Sequence, residues 1–218
     1  MAGKDEALIG ALLKRFGRTY AEDAGIRLAD QPAPLYQLLV LATLISARIS
    51  ADIAVAAARE LFAAGYRTPR AMLAASWQDR VDALGRGHYK RYDERTAAML
   101  GDGAALVLER WHGDLRRLRD EAGGDPGRIA ALLQEFPGIG PAGASIFLRE
   151  VQAVWPSVAP YVDDRVRAGA RELGLPGDPE ALAQRAGSAR DLARLAAALV
   201  RVTLSKTAAD EVKQAAAG

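Results

Sequence analysis

Apolar residues recur three and four positions apart along almost the whole chain. That spacing lines one face of a helix, and no segment shows the strict alternation of a half-buried strand. The pattern predicts helices over residues 4–16, 35–46, 51–63, 69–75, 77–84, 93–111, 114–121, 126–135, 141–152, 164–173, 179–186 and 189–206. One of them differs from the rest. Leu35 to Ile45 (LYQLLVLATLI) is apolar on nearly every side, which predicts the buried central helix of a bundle. The punctuation fits the pattern. Thr68-Pro69, Asp125-Pro126 and Asp178-Pro179 each set a capping side chain before a proline at the first helical position. Ser76 with Asp79, and Ser188 with Asp191, have capping-box spacing with Asp in place of Glu or Gln. Gly65, Gly85, Gly113 and Gly174 stand as stop signals. Gln31-Pro32-Ala33-Pro34 marks a boundary before the central helix, and the Ala-rich tail 207–218 is expected to fray. The expected class is all-α.

Composition narrows this little until cysteine is counted. A chain of 218 residues, half of them hydrophobic, can build one large domain or two small ones. The formal charge of +2 is only a mild basic lean. Arginine far outnumbers lysine, which occurs only at Lys4, Lys14, Lys90, Lys206 and Lys213. Arginine suits phosphate through its two parallel donors, although codon usage produces the same bias. There is no cysteine. That excludes disulfides, a thiol nucleophile, a Cys-ligated zinc and a Cys-held iron–sulfur cluster. His88 and His112 are too few for a histidine-rich metal centre. No apolar run is long enough to span a bilayer, and Met1 to Lys14 lacks the apolar core of a signal peptide. A cytoplasmic protein is expected.

The candidate chemistry lies in Phe136-Pro137-Gly138-Ile139-Gly140 and in Tyr161-Val162-Asp163-Asp164. A helix with apolar Ile129, Leu132 and Leu133 stops before Pro137, and Pro141 starts the next. Gly138 and Gly140 permit a tight turn and close backbone approach. Amides from Gly138, Ile139, Gly140, Ala142 and Gly143 then form a site for an anion such as a DNA phosphate. Such a contact carries no sequence information. An ordinary corner between two helices has the same bare pattern. Asp163 and Asp164 fall at the start of a further helix, where Asp is a favoured cap. A carboxylate there also serves chemistry on a bound nucleotide.

In these segments the chain resembles the helix-hairpin-helix DNA glycosylases of the endonuclease III superfamily. Leu132 to Glu150 (LLQEFPGIGPAGASIFLRE) is similar to that family's L-P-G-V-G-x-K-T-A hairpin. Trp155 to Val166 (WPSVAPYVDDRV) is similar to W-P-x-x-x-V-D-T-H-V. Leu35 to Ser50 (LYQLLVLATLISARIS) is similar to F-x-L-L-I-A-x-L-L-S-A-Q-x-T, and Thr68 to Gly85 (TPRAMLAASWQDRVDALG) begins like T-P-x-A-M-L. The four segments occur in the family's order across residues 30–175. The resemblance implies a two-lobed all-helical fold. A barrel lobe would span 35–151 with the hairpin at 128–151, and 1–34 plus 152–218 would form the other lobe. The DNA cleft would lie between them.

It further implies a monofunctional glycosylase of base excision repair. Such an enzyme flips a damaged base from double-stranded DNA and hydrolyses its N-glycosidic bond. Asp163 takes the place of the catalytic aspartate because Val166 follows three residues later; Asp164 is the alternative. The carboxylate would stabilise positive charge on the sugar. Where bifunctional relatives carry a Schiff-base lysine this chain has Ala142, so strong lyase activity is not expected. With neither that lysine nor a cluster, the chain is similar to the small 3-methyladenine glycosylases, which favours an alkylated purine. Two features depart from that group. Only Tyr20 and Tyr36 stand near the segment that should stack a flipped base, and Arg48 replaces the loop glutamine. Arg48 then probes DNA or is a plain surface arginine. His88, Tyr89 and Lys90, in a lengthened loop from Gly85 to Tyr92, either contact DNA or form a solvated loop. A potassium or sodium ion on the carbonyls of Gln134, Phe136 and Ile139 is implied; no other cofactor is. The expected partner is damaged duplex DNA, met by a nucleoid-associated monomer with no membrane contact. A non-catalytic or weakly catalytic DNA-binding protein on the same fold is the alternative, and Ala142, Arg48 and the long loop suit it.

Overall fold

The computed structural model describes residues 2–217, and among them the regular secondary structure is entirely α-helical. In chain order the helices are α1 (Ala2–Phe16), α2 (Tyr20–Asp23), α3 (Pro32–Ser46), α4 (Ala51–Ala63), α5 (Pro69–Ala74), α6 (Trp77–Arg86) and α7 (Asp93–Trp111). There follow α8 (Leu115–Glu121), α9 (Pro126–Leu133), α10 (Pro141–Val151), α11 (Asp164–Leu173), α12 (Pro179–Ala186), α13 (Ala189–Val202) and α14 (Ala208–Ala217). None of the described helices is long and apolar enough to cross a membrane.

The local signals act where their chemistry requires. Thr68, Asp125 and Asp178 each accept the amide hydrogen three residues on, ahead of a proline-started helix. Ser76 and Asp79 form both halves of a capping box. Gly85 does not stop α6, which runs on to Arg86 and is capped by Gly87. Gly87 sits where a Cβ would strike the backbone of Ala57, so the end of α6 lies directly on α4.

The chain divides into two compact units, Tyr20–Leu148 and Met1–Thr19 with Arg149–Gly218. Residues 20–34, expected with the termini, belong to the first unit. Tyr20 and Ile26 are buried there, and Arg59 Nε donates to Asp23 O at 2.6 Å. Residues 149–151, expected in the barrel, fall with the second unit.

In the first unit α3 is the axis. Leu35, Leu38, Leu41 and Leu44 have no exposed surface, and α2, α4, α7 and α8 pack around the helix. Arg80 of α6 is buried beside it. Its Nε donates to Ala97 O at 2.8 Å, and its Nη1 donates to Met72 O and Ala75 O at 2.9 and 2.8 Å. One guanidinium thereby joins α5, α6 and α7. Tyr36 and Tyr89 are also core residues, and burial pushes both phenols above their ordinary range.

In the second unit α13 is the axis, with α1, α11, α12 and α14 against it. Gly169 of α11 lies against Leu199 of α13, where a Cβ would strike the Leu199 carbonyl. The tail expected to fray is instead largely α14. Ala208 and Val212, four residues apart, bury one face of it, and Arg15 of α1 pairs with Glu211.

Candidate functional site

The turn between α9 and α10 is built from its own backbone. Asp125 caps α9, and the Phe136 amide donates back to Leu133 O at 3.2 Å. The Ile139 amide donates to Phe136 O at 3.1 Å, and Gly140 O accepts the Ala144 amide at 3.0 Å. Gly138 has φ +86°, and a Cβ there would come within 2.5 Å of Met99 Cε. The backbone conformation therefore calls for glycine, while Met99 meets this point only with the free end of a flexible side chain. Gly138, Gly140 and Ala142 are exposed, and Gly143 is buried against Ser46.

Two separate segments meet the last turn of α3. Thr43 lies beside Gly138, Ser46 beside Gly143, and Leu44 O accepts the Tyr89 hydroxyl at 3.3 Å. Exposed Arg48 follows two residues after α3, and exposed His88 and Lys90 flank Tyr89. The first unit thus gathers the hairpin, Arg48 and the 87–92 loop from distant parts of the sequence.

Several sequence assignments change. Tyr89 has no exposed surface, so its ring anchors the loop to α3 and does not offer a stacking face. Ile139 is buried and its amide is spent on Phe136 O, which removes it from the set of phosphate donors. The Gly143 side of the turn faces Ser46. Tyr20 and Tyr36 are buried as well, so neither presents a stacking surface. Among the proposed ion ligands, Phe136 O already accepts one hydrogen bond. A carbonyl has two lone pairs, so a monovalent cation remains compatible with this turn.

Asp163 and Asp164 occupy opposite environments. Asp163 is the N-cap of α11, its Oδ1 accepting the Val166 amide at 3.0 Å. Its Oδ2 takes the Nη1 hydrogen of Arg149, and the two side chains are 13% and 7% exposed. Asp164 is fully exposed and pairs with Arg167 at 3.0 Å. Of the two, only Asp163 has the burial that strengthens an electrostatic interaction.

Gln152, with no exposed surface, fixes the approach to this carboxylate. It accepts the Tyr161 amide at 3.0 Å, and its Nε2 donates to Tyr161 O at 3.2 Å and Arg149 O at 3.0 Å. Below it Trp155, Val158 and Val162 are buried, so the loop enters α11 in one orientation. Arg149 and Gln152 escaped the sequence reading. Their signal was present: each is a polar residue on the period of a buried stripe, three after Ile146 and four after Leu148.

No protein-family model matches the chain, and no curated protein sequence does. Among solved structures there is a loose likeness to a trapped endonuclease III–DNA covalent intermediate in an estranged-adenine complex. The two are 16% identical, with a TM-score of 0.49, over 92% of this chain and 84% of that one. A likeness at this level carries no information about activity.

Proposed function

We propose that this protein is a monofunctional DNA glycosylase that hydrolyses the N-glycosidic bond of a damaged base flipped from duplex DNA. The observation that carries the reading is Asp163, a nearly buried carboxylate oriented by the Val166 amide, by Arg149 and through Gln152. A fixed negative charge beside C1′ would favour the oxocarbenium-like transition state without reorganising at the moment of reaction. Gly138, Gly140, Ala142, Arg48, His88 and Lys90 would hold the DNA backbone. Ala142 offers no amine, so the abasic product would leave without strand cleavage by Schiff-base chemistry. Neither an iron–sulfur cluster nor a redox cofactor enters this scheme; a potassium or sodium ion on the Gln134, Phe136 and Ile139 carbonyls would stiffen the hairpin. The sequence resemblance favours an alkylated purine, and Arg149 beside Asp163 weighs against one.

A second reading is a DNA-binding protein without catalysis. It is favoured by the two carboxylate oxygens of Asp163 both serving bonds within the fold. The test is excision from duplexes carrying single lesions, with and without alkali, by wild type and Asp163→Asn. Alkali-dependent breaks that vanish in the variant support the glycosylase. Binding without excision on any lesion supports the second reading.

A further inference from the structure

The Asp163 site contains a cation that stabilisation of a sugar cation does not call for. Arg149 is 6% exposed, and its guanidinium carries five N–H donors. The side-chain hydrogen bond it makes among the described residues runs to Asp163 Oδ2. A buried guanidinium with one such partner has donors to spare for a ligand at the same carboxylate. Its charge also offsets that of Asp163.

This arrangement treats two classes of base differently. A cationic alkylated base is drawn to the carboxylate and repelled by the guanidinium beside it. It is a good leaving group already and needs no donor. A neutral base poses the opposite problem. When its C1′–N bond breaks, the electron pair stays on the base, which becomes negative while the sugar becomes positive. Asp163 answers the charge on the sugar, and a donor to a carbonyl oxygen answers the charge on the base. Water then adds to C1′, and the proton it loses ends on the base nitrogen, so atoms and charge balance.

We propose that Arg149 is the specificity-determining residue of this site, selecting a neutral, carbonyl-bearing base over a cationic alkylated one. The proposal rests on the glycosylase reading above and names its substrate class.

The experiment is single-turnover excision by the full chain on four duplexes that differ at one base. Uracil and 5-hydroxyuracil are the neutral probes; 7-methylguanine and 3-methyladenine are the cationic ones. Wild type is expected to remove at least one neutral base about tenfold or more faster than either cationic base. A hydrogen bond to a charged group is typically worth roughly ten- to a hundredfold, so Arg149→Gln is expected to collapse that ratio to one or below. Arg149→Lys, which keeps the charge but loses the fork, is expected to fall between. A wild-type preference for the cationic bases overturns the proposal and leaves the glycosylase reading standing. So does an equal loss on both classes in Arg149→Gln, which would mean that Arg149 only holds Asp163. Absence of excision on all four, with DNA binding intact, overturns this proposal; only absence on every lesion of the wider panel overturns the glycosylase reading as well. The wild-type ranking needs no variant, so it decides even if Arg149→Gln fails to fold.

Discussion

At the scale of single residues, neighbouring positions with the same side chain have opposite fates. Asp163 is nearly buried and paired; Asp164, one residue on, is fully exposed. Asn is as good a helix cap as Asp but carries no charge. Asp163→Asn is therefore expected to keep α11 started and to leave Arg149 uncompensated. On the glycosylase reading, excision falls by about a hundredfold or more while DNA affinity changes only a few-fold, which kinetics and fluorescence anisotropy would read separately. The two hairpin glycines differ in the same manner. Gly138 has positive φ and meets Met99, whereas a Cβ on Gly140 meets nothing within 4 Å. Gly138→Ala is expected to cost about 1–2 kcal/mol in urea unfolding. Gly140→Ala is expected to stay within about 0.5 kcal/mol of wild type. Equal effects at the two positions would contradict the backbone argument.

At the scale of elements, the packing depends on a few polar side chains that tie helices together. Arg80 holds carbonyls from α5 and α7, and Gly101 makes room for it, since a Cβ there would lie 2.7 Å from Arg80 Nη2. Arg80→Met removes the donors and leaves Met72 O and Ala75 O, at the end of α5, without them, whereas Ala97 O keeps its partner within α7. Each buried carbonyl left unpaired costs about 1–3 kcal/mol. A loss of roughly 3 kcal/mol is expected, read as a lower urea midpoint at an unchanged slope. A second tie has a pH signature. Glu121 accepts Trp111 Nε1 at 2.7 Å and Arg110 Nη2 at 2.6 Å, which holds its carboxyl below the ordinary 4.5. Asp114 is lowered likewise, by Arg116. A carboxyl depressed by folding takes up its proton more readily in the unfolded chain. Its contribution is complete above the unfolded value and is lost as pH falls through the folded one. Thermal midpoints are therefore expected to drop on acidification below about 4.5, and Glu121→Gln should flatten part of that drop. Both groups lie near the surface, so the effect is modest and salt should weaken it.

At the scale of the molecule, the net charge of +2 gives no strong pull on DNA from afar. On the glycosylase reading, affinity would then come from local contacts at the end of α3. If the hairpin, Arg48, His88 and Lys90 grip phosphates, binding weakens linearly in log salt as counterions are released. Arg48→Ala and Lys90→Ala are each expected to reduce that slope by about one without changing sequence preference. Anisotropy titrations between about 50 and 200 mM salt would measure it. A slope unchanged by either substitution would remove that residue from the interface.

Helix positions, caps and the central α3 were legible because their causes are local. A stripe repeats within a turn or two, and Thr68, Ser76 or Asp178 satisfies an amide three residues away. The hairpin was legible for the same reason: Gly138 answers a backbone demand that its neighbours in the chain impose. Burial is another matter, because it depends on which distant element lies overhead. Tyr89 reads like an aromatic in a basic loop, and only Leu44, 45 residues earlier, makes it a core residue. The tail reads as loose until Val212 and Ala208 find α1 and the rest of its unit. The partnership of Arg149 with Asp163 is of this kind too. Sequence alone determined that a carboxylate would stand at the start of α11. Only the tertiary structure decided that it would stand nearly buried against an arginine 14 positions away, because the charge pair forms only when Gln152 folds the intervening loop back onto α10.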